Sequence, residues 1–151
     1  MNVVLIAKQD TNLYQTLAES ETARDAIRFY EPVDLIYGVF FRVPTVAGAL
    51  ALTSDIRYYV RRYVDEVLYE FNPPFFCTAS LAEGLYLQRT VILKAPWPYR
   101  VLYRFSPRGP ITKLQIHDAT HTVSQGSFIE GLFQAEVWCS CEEYNLINAC
   151  I

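Results

Sequence analysis

Residues 54–71 read SDIRYYVRRYVDEVLYEF, and this stretch carries the strongest pattern in the chain. Its apolar residues recur three and four positions apart, as they do on one face of an amphipathic helix. They are Ile56, Tyr59, Val60, Tyr63, Val64, Val67, Leu68 and Phe71. The spacing predicts one long helix over about 54–71, which buries its apolar face against a sheet.

The remaining residues of this stretch also fit a helix. Arg61 precedes Asp65 by four positions, and Arg62 precedes Glu66 by four, a spacing at which opposite charges on a helix attract. Ser54 or Thr53 can cap the first turn, and two consecutive prolines after residue 72 cannot continue a helix. The arginines are therefore expected to have local partners.

Upstream of this stretch, the pattern predicts two strands and a helical region. The β-branched run 2–7 is typical of a short buried strand, and 12–30 shows helical spacing that ends before Pro32. Residues 33–43 are rich in β-branched and aromatic residues and predict a second strand. The small apolar residues of 44–52 show only a weak pattern, which leaves strand, loop and extended arm open.

Downstream of residue 75 the apolar residues alternate, which predicts several half-buried strands. The alternating segments are 85–93, 99–105, 112–116 and 128–141. Strands that follow one another through short turns form an antiparallel meander. The predicted fold class is therefore α+β, with a mostly meander antiparallel sheet in the C-terminal two thirds. This sheet packs against the 54–71 helix and a shorter N-terminal helical region, in a single domain over 1–151.

Composition restricts where this chain works. Its 151 residues are 52% hydrophobic and 19% charged, which supplies enough apolar side chains for one core. Its net charge of −3 argues against a protein that is wrapped in nucleic acid. The apolar stretch 35–52 contains Arg42, which is costly inside a bilayer, so no membrane span is expected. Without a signal-peptide pattern at 1–10 or a disulfide spacing, an intracellular location or an assembled particle is expected.

Charge is unevenly distributed along the second half of the chain. Residues 84–117 contain six Lys or Arg and no acidic residue, whereas 118–151 contain five Asp or Glu and no Lys or Arg. Adjacent strands can pair such charges within one chain. Alternatively, two patches of opposite sign allow a head-to-tail contact between copies.

Two histidines and two cysteines are the residues considered for a zinc site. His117 and His121, with Cys139 and Cys141, do not match the usual spacing of zinc ligands, and strand alternation places both cysteines on an apolar face. No glycine-rich phosphate loop is present. We therefore predict no metal and no cofactor, and an enzyme using His117, Asp118 and His121 is the alternative.

The residue types favour an interaction protein. Arginine outnumbers lysine ten to three and aromatics make up 15% of the chain, and Arg, Tyr, Phe and Trp are enriched at protein interfaces. The leading hypothesis is a non-enzymatic structural protein that self-associates or docks into a larger assembly, as subunits of viral particles and tail or neck rings do. A second alternative is a nucleic-acid-binding or inhibitor module that uses the arginines at 100, 104 and 108. The predicted interface residues are Tyr58, Tyr69, Trp97, Arg100, Arg104 and Arg108.

Overall fold

The computed structural model describes residues 2–72, 75–93, 97–105, 111–117 and 134–147. These residues form an eight-stranded mixed sheet and six short helices. The strands are β1 (Asn2–Ala7), β2 (Val33–Leu35), β3 (Gly38–Arg42), β4 (Val64–Asn72), β5 (Phe75–Thr78), β6 (Arg100–Arg104), β7 (Thr112–Ile116) and β8 (Gln134–Trp138). The helices are α1 (Leu13–Glu19), α2 (Glu21–Ile27), α3 (Val46–Asp55), α4 (Arg57–Tyr63), α5 (Ala79–Tyr86) and α6 (Cys141–Asn145).

The strand order is β2-β3-β1-β4-β5-β8-β6-β7, and all neighbours are antiparallel except β5 and β8. Strand β1 lies between β3 and β4, and its residues Val3, Val4, Leu5 and Ile6 are all buried. A strand that is apolar on both faces must be covered on both. The sheet around β1 is therefore the middle layer of the molecule.

One face of this layer is covered by the helices. Val3 and Leu5 point to this side, where they belong to the same buried cluster as residues of α1, α2, α3 and α5. Apolar side chains spaced along the short helices pack onto this face, together with residues of the neighbouring strands β3, β4 and β5. We call this the helix-side core; its helical members are Leu13, Leu17, Ala23, Ile27, Ala49, Leu52, Leu81 and Ala82.

The other face is covered by the sheet itself. Val4 and Ile6 share a second buried cluster with residues of β6 and β8, which lie several strands away in the sheet order. The Tyr37 ring, in the β2–β3 turn, stacks on Phe105, just after β6, with ring centroids 4.9 Å apart. The sheet must therefore fold back on itself and enclose this sheet-side core; its members from β6, β8 and the residues after them are Val101, Tyr103, Phe105, Ala135, Val137 and Cys139.

The predicted long helix over 54–71 is wrong. The chain forms α3 and α4 up to Tyr63 and then enters β4, which pairs with β1 along most of its length. The register shifts near Ala7 and Val64, and this bulge brings Val64, Val67 and Tyr69 to the helix-side core, while Leu68 faces the sheet-side core. A bulged strand thus places Val64 and Val67 on one face, as a helix would. The chain forms a strand and not a helix here because β4 pairs with β1.

The predicted meander is also wrong. Residues 85–93 form no strand, because Thr78 caps α5 and the helix continues to Tyr86. The chain then returns to the sheet at β6, and β8 pairs parallel to β5, with Phe76 opposite Val137. In a parallel pair the connection has to cross over, which is a long-range arrangement that alternation within a segment cannot reveal.

Three further segments differ from their predictions. Residues 33–43 form the β2–β3 hairpin, and 44–52 belong largely to α3, which Thr45 caps by accepting a hydrogen bond from the Gly48 backbone. The strand predicted over 128–141 is seen only at Gln134–Trp138, and 128–133 lie outside the described residues. None of the helices described is long and apolar enough to cross a membrane.

The close approach of the β1 backbone to Gly38 on the neighbouring strand β3 predicts a large effect for Gly38→Ala. A Cβ at Gly38 would lie 1.9 Å from the carbonyl oxygen of Leu5, a backbone atom that cannot rotate away. We expect the free energy of unfolding to fall by about 3 kcal/mol in chemical denaturation. The matched control is Gly48→Ala in α3, whose Cβ would meet only side-chain atoms, at 3.1 Å. Equal stability of the two variants would contradict this packing.

Candidate interaction surface

Helix α4 presents a basic face to solvent. Its sequence RYYVRRY exposes Arg57, Tyr58, Arg61 and Arg62, and the Tyr58 side chain is 58% exposed. Tyr59, Val60 and Tyr63 face inward and pack against the helix-side core. Because the inward positions are apolar, the three arginines have to share the outer side of one short helix.

None of these three arginines forms an ion pair in the part of the chain that the structure describes. Asp65 and Glu66, the expected partners of Arg61 and Arg62, lie outside the helix, because β4 begins at Val64. Glu66 instead accepts hydrogen bonds from the hydroxyl of Tyr103, at 2.9 Å, and from Nζ of Lys113, at 3.1 Å. The expected salt bridges of a continuous helix are therefore absent.

Aromatic rings and one lysine complete the basic face. Arg62 donates to the hydroxyl of Tyr58 at 3.2 Å, and its guanidinium lies 5.7 Å from the centroid of the Tyr63 ring. Lys8, just after β1, donates from Nζ to the carbonyl oxygen of Arg61 at 3.4 Å. We define the basic face as Lys8, Arg57, Tyr58, Arg61 and Arg62.

A cleft of about 570 Å³ adjoins the basic face. It lies where β1 ends, and three exposed carboxylates line it, those of Asp10, Asp34 and Asp65. None of the three has an ion-pair or hydrogen-bond partner among the described side chains. We call it the acidic cleft. Apolar side chains also line it; they are Ile6, Leu13, Leu35, Ile36, Tyr37, Phe105 and Ile111.

Arg100 lies in the interior and is unsuited to a surface contact. It is 7% exposed, and Nη2 donates to Oε1 of Glu136 on the adjacent strand β8 at 2.6 Å. Glu136 is 1% exposed, and its other oxygen accepts from the indole of Trp138 at 2.9 Å. This pair joins the acid-free stretch 84–117 to the stretch 118–151 within one chain.

The other predicted interface residues are scattered. Tyr69 is 2% exposed in the helix-side core, where its hydroxyl lies 2.9 Å from that of Thr53. Trp97 is half-buried and donates from its indole to the carbonyl oxygen of Cys139 at 3.1 Å. Arg104 is exposed, and Arg108 lies outside the described residues. Among the predicted interface residues that the structure describes, Tyr58 alone lies on the basic face.

The residues of the enzyme alternative are only partly described. His117 is exposed at the edge of a second cleft, of about 420 Å³, and its Nδ1 lies 3.2 Å from the Tyr144 hydroxyl. Asp118 and His121 lie outside the described residues. Within the ranges that the structure describes, no three His, Cys, Asp or Glu side chains converge as metal ligands.

The two candidate zinc cysteines do not share a face. Cys139 is buried in the sheet-side core, whereas Cys141 is exposed at the start of α6. Strand β8 ends at Trp138, and Ser140 caps α6 through a capping box with Glu143. A serine followed three residues later by glutamate is the signal that the sequence interpretation missed.

Residues 1–85 match the model of a family described as a family of unknown function, DUF5804. Because the match covers more than half of the chain, the protein belongs to this family. It extends from β1 to the last turn of α5, so it includes the whole basic face. Neither the curated proteins nor the solved structures contain a match to the chain.

The buried pair predicts a specific pattern of stability changes. Glu136→Ala leaves the Arg100 charge buried without its carboxylate, and we expect a loss of about 3–5 kcal/mol in urea denaturation. The double variant Arg100→Met with Glu136→Leu removes both charges and retains much of the volume, so it should lose far less. A Glu136→Ala protein within about 1 kcal/mol of wild type would contradict the pairing.

The cysteines predict site-specific reactivity. Burial, with a smaller contribution from Glu143, raises the pKa of Cys77 and of Cys139 from the ordinary 9.0 to about 12. At pH 8 we expect iodoacetamide to modify Cys141 in the native protein and to leave the buried thiols intact, as read by peptide mass spectrometry. In urea Cys77, Cys139 and Cys141 should all react. Equal native reactivity would contradict the burial.

The same thiols should make stability depend on pH. The unfolded thiol ionises near pH 9 and the folded one near pH 12. Their contribution is therefore complete below about pH 9 and declines as the pH rises towards 12. The measurement is the midpoint of urea denaturation at pH 8 and at pH 10. A double Cys77→Ala and Cys139→Ala variant is the control, and it should show a smaller decline.

Proposed function

We propose that this chain is a non-enzymatic interaction protein that self-associates or docks into a larger protein assembly, and that it does so through the basic face. The observation that supports this most directly is the cluster of arginines around exposed Tyr58 on α4, which form no ion pair with any residue that the structure describes. Arginine and tyrosine supply most of the binding energy at many protein interfaces. Their side chains combine planar apolar area with directed hydrogen-bond donors.

The arrangement of charges on α4 is poorly explained by stability alone. Arg57 occupies the first helical position, where the helix dipole disfavours a positive charge, and Arg61 lies four positions later on the same side. Only Arg61 and Arg62, in the last turn, are placed favourably for the dipole. A partner with carboxylates would compensate the whole set.

The surroundings of the basic face favour a protein over a nucleic acid. Asp55 and Asp65 flank α4, and the whole chain has a net charge of −3, so a long polyanion would meet repulsion close to the arginines. The alternative row at 100, 104 and 108 loses Arg100 to its buried pair with Glu136. An interface of mixed charge is better matched by a protein surface.

Charge reversal on α4 tests this proposal. We expect wild-type protein to form a species larger than one chain in light scattering at about 0.15 M ionic strength, where diffuse attraction beyond ~8 Å is screened. Arg57→Glu with Arg61→Glu should weaken that association at least tenfold. The matched control is Arg24→Glu on α2 with Arg28→Glu directly after it, which makes the same change in net charge at two exposed positions.

The α4 variant must retain the circular dichroism and melting temperature of wild type for the comparison to count. An equal effect of the α2 control would show that net charge, and not the basic face, drives association. Wild-type protein that stays monomeric at high concentration and captures no protein partner would contradict the proposal.

A further inference from the structure

We infer that the partner of the basic face is a second copy of this chain, and that α4 of each copy docks against the acidic cleft of the other around a two-fold axis. This inference rests on the proposed function and names the occupant of that surface. It is based on the charges, the position and the size of two features that lie side by side on one molecule.

The first step is charge complementarity. The basic face carries Lys8 and three arginines, and the acidic cleft carries three carboxylates; none of these charged groups forms an ion pair in the described ranges. Within one molecule the expected pairs of Arg61 with Asp65 and of Arg62 with Glu66 do not form. A guanidinium and a carboxylate form strong two-point hydrogen bonds when they meet in the correct plane. A second molecule can bring the two sets into that contact.

The second step is the position of the two features. Lys8 lines the cleft and also bonds to the carbonyl oxygen of Arg61, and Asp65 lines the cleft two residues after α4 ends. The basic face and the acidic cleft are therefore adjacent. In a two-fold dimer, patch A of one copy contacts patch B of the other and the reverse, which is satisfied with least strain when A and B are neighbours. Adjacency thus favours a closed dimer over an open chain of copies.

The third step is the size and lining of the cleft. A volume of about 570 Å³ is within the range of pockets that enclose small ligands, and it accommodates side chains and not a whole helix. Its lining includes Ile36, which is 68% exposed at the β2–β3 turn, half-buried Ile111 and the edge of buried Phe105. These apolar surfaces suit the ring of Tyr58, while the carboxylates suit the arginines beside it. One face of α4 therefore matches both halves of the lining.

The experiment exchanges the charges of the two surfaces. The α4 variant is Arg57→Glu with Arg61→Glu, and the cleft variant is Asp34→Lys with Asp65→Lys. Asp10 is left unchanged because its φ of 61° is a left-handed conformation that penalises lysine. The control for the cleft variant is Glu21→Lys with Asp25→Lys, two exposed acidic residues of α2.

Sedimentation equilibrium measures the dissociation constant and the mass. We expect wild type and the control to form a species of twice the chain mass, and each variant alone to dissociate at least tenfold more readily. An equimolar mixture of the α4 and cleft variants should restore the two-chain species, because both contacts then join opposite charges. Unchanged melting temperatures show that each variant is folded.

Other outcomes separate this inference from the proposed function. Association that depends on α4 but not on the cleft variant would overturn the inference and leave the proposed function standing. A restored species larger than two chains would overturn the two-fold arrangement. Wild type that remains monomeric would overturn the inference. If wild type binds a single-stranded oligonucleotide and the α4 variant does not, both the inference and the proposed function are contradicted.

Discussion

The hydrogen bonds of the Glu66 carboxylate link the packing of the folded sheet to the charges left exposed on α4. It accepts hydrogen bonds from Tyr103 on β6 and Lys113 on β7, strands that lie three and four places from β4 in the sheet. These bonds help to hold the two parts of the sheet around their shared core. Burial and the nearby Glu66 carboxylate raise the pKa of Tyr103, so its hydroxyl stays protonated and donates. Because Glu66 is engaged there, Arg62 on α4 is left without it.

Local signals in the sequence were reliable where the alternation within a single strand decides the structure. The run at 2–7 is β1, and Tyr99, Val101, Tyr103 and Phe105 all contact the sheet-side core, as their alternation predicts. The stretch 54–71 failed because a helix and a bulged strand place nearly the same valines on one side. Choosing between them required knowing that β1 would pair there. Parallel pairing of β5 with β8 is equally invisible, since it joins segments far apart in the chain.

The candidate surface was partly within reach of the sequence. Exposure of Tyr58 followed from its place outside the apolar stripe of RYYVRRY, and the same heptapeptide contains all three arginines. They were overlooked because a continuous helix would have paired two of them. The arginine at 100 was chosen for its place in an acid-free stretch, yet its partner Glu136 lies 36 residues later. Long-range pairing of this kind needs the tertiary fold.

The seam between β5 and β8 has a consequence for how the chain folds. Only Phe76 with Val137 and Cys77 with Trp138 are in register there, whereas β1 and β4 share five register pairs. The contacts among β1, β3, β4 and the first five helices form within residues 2–86. Val3 and Tyr69 of the β1–β4 pair lie about as far apart along the chain as Phe76 and Val137 of the seam, so the two pairings differ in the number of register pairs gained and not in the loop that has to close. Closing a long loop for a small gain is slow, because its entropy is lost before the contacts form. The last three strands should therefore add to a preassembled sheet, and β5 stays an open edge until they arrive.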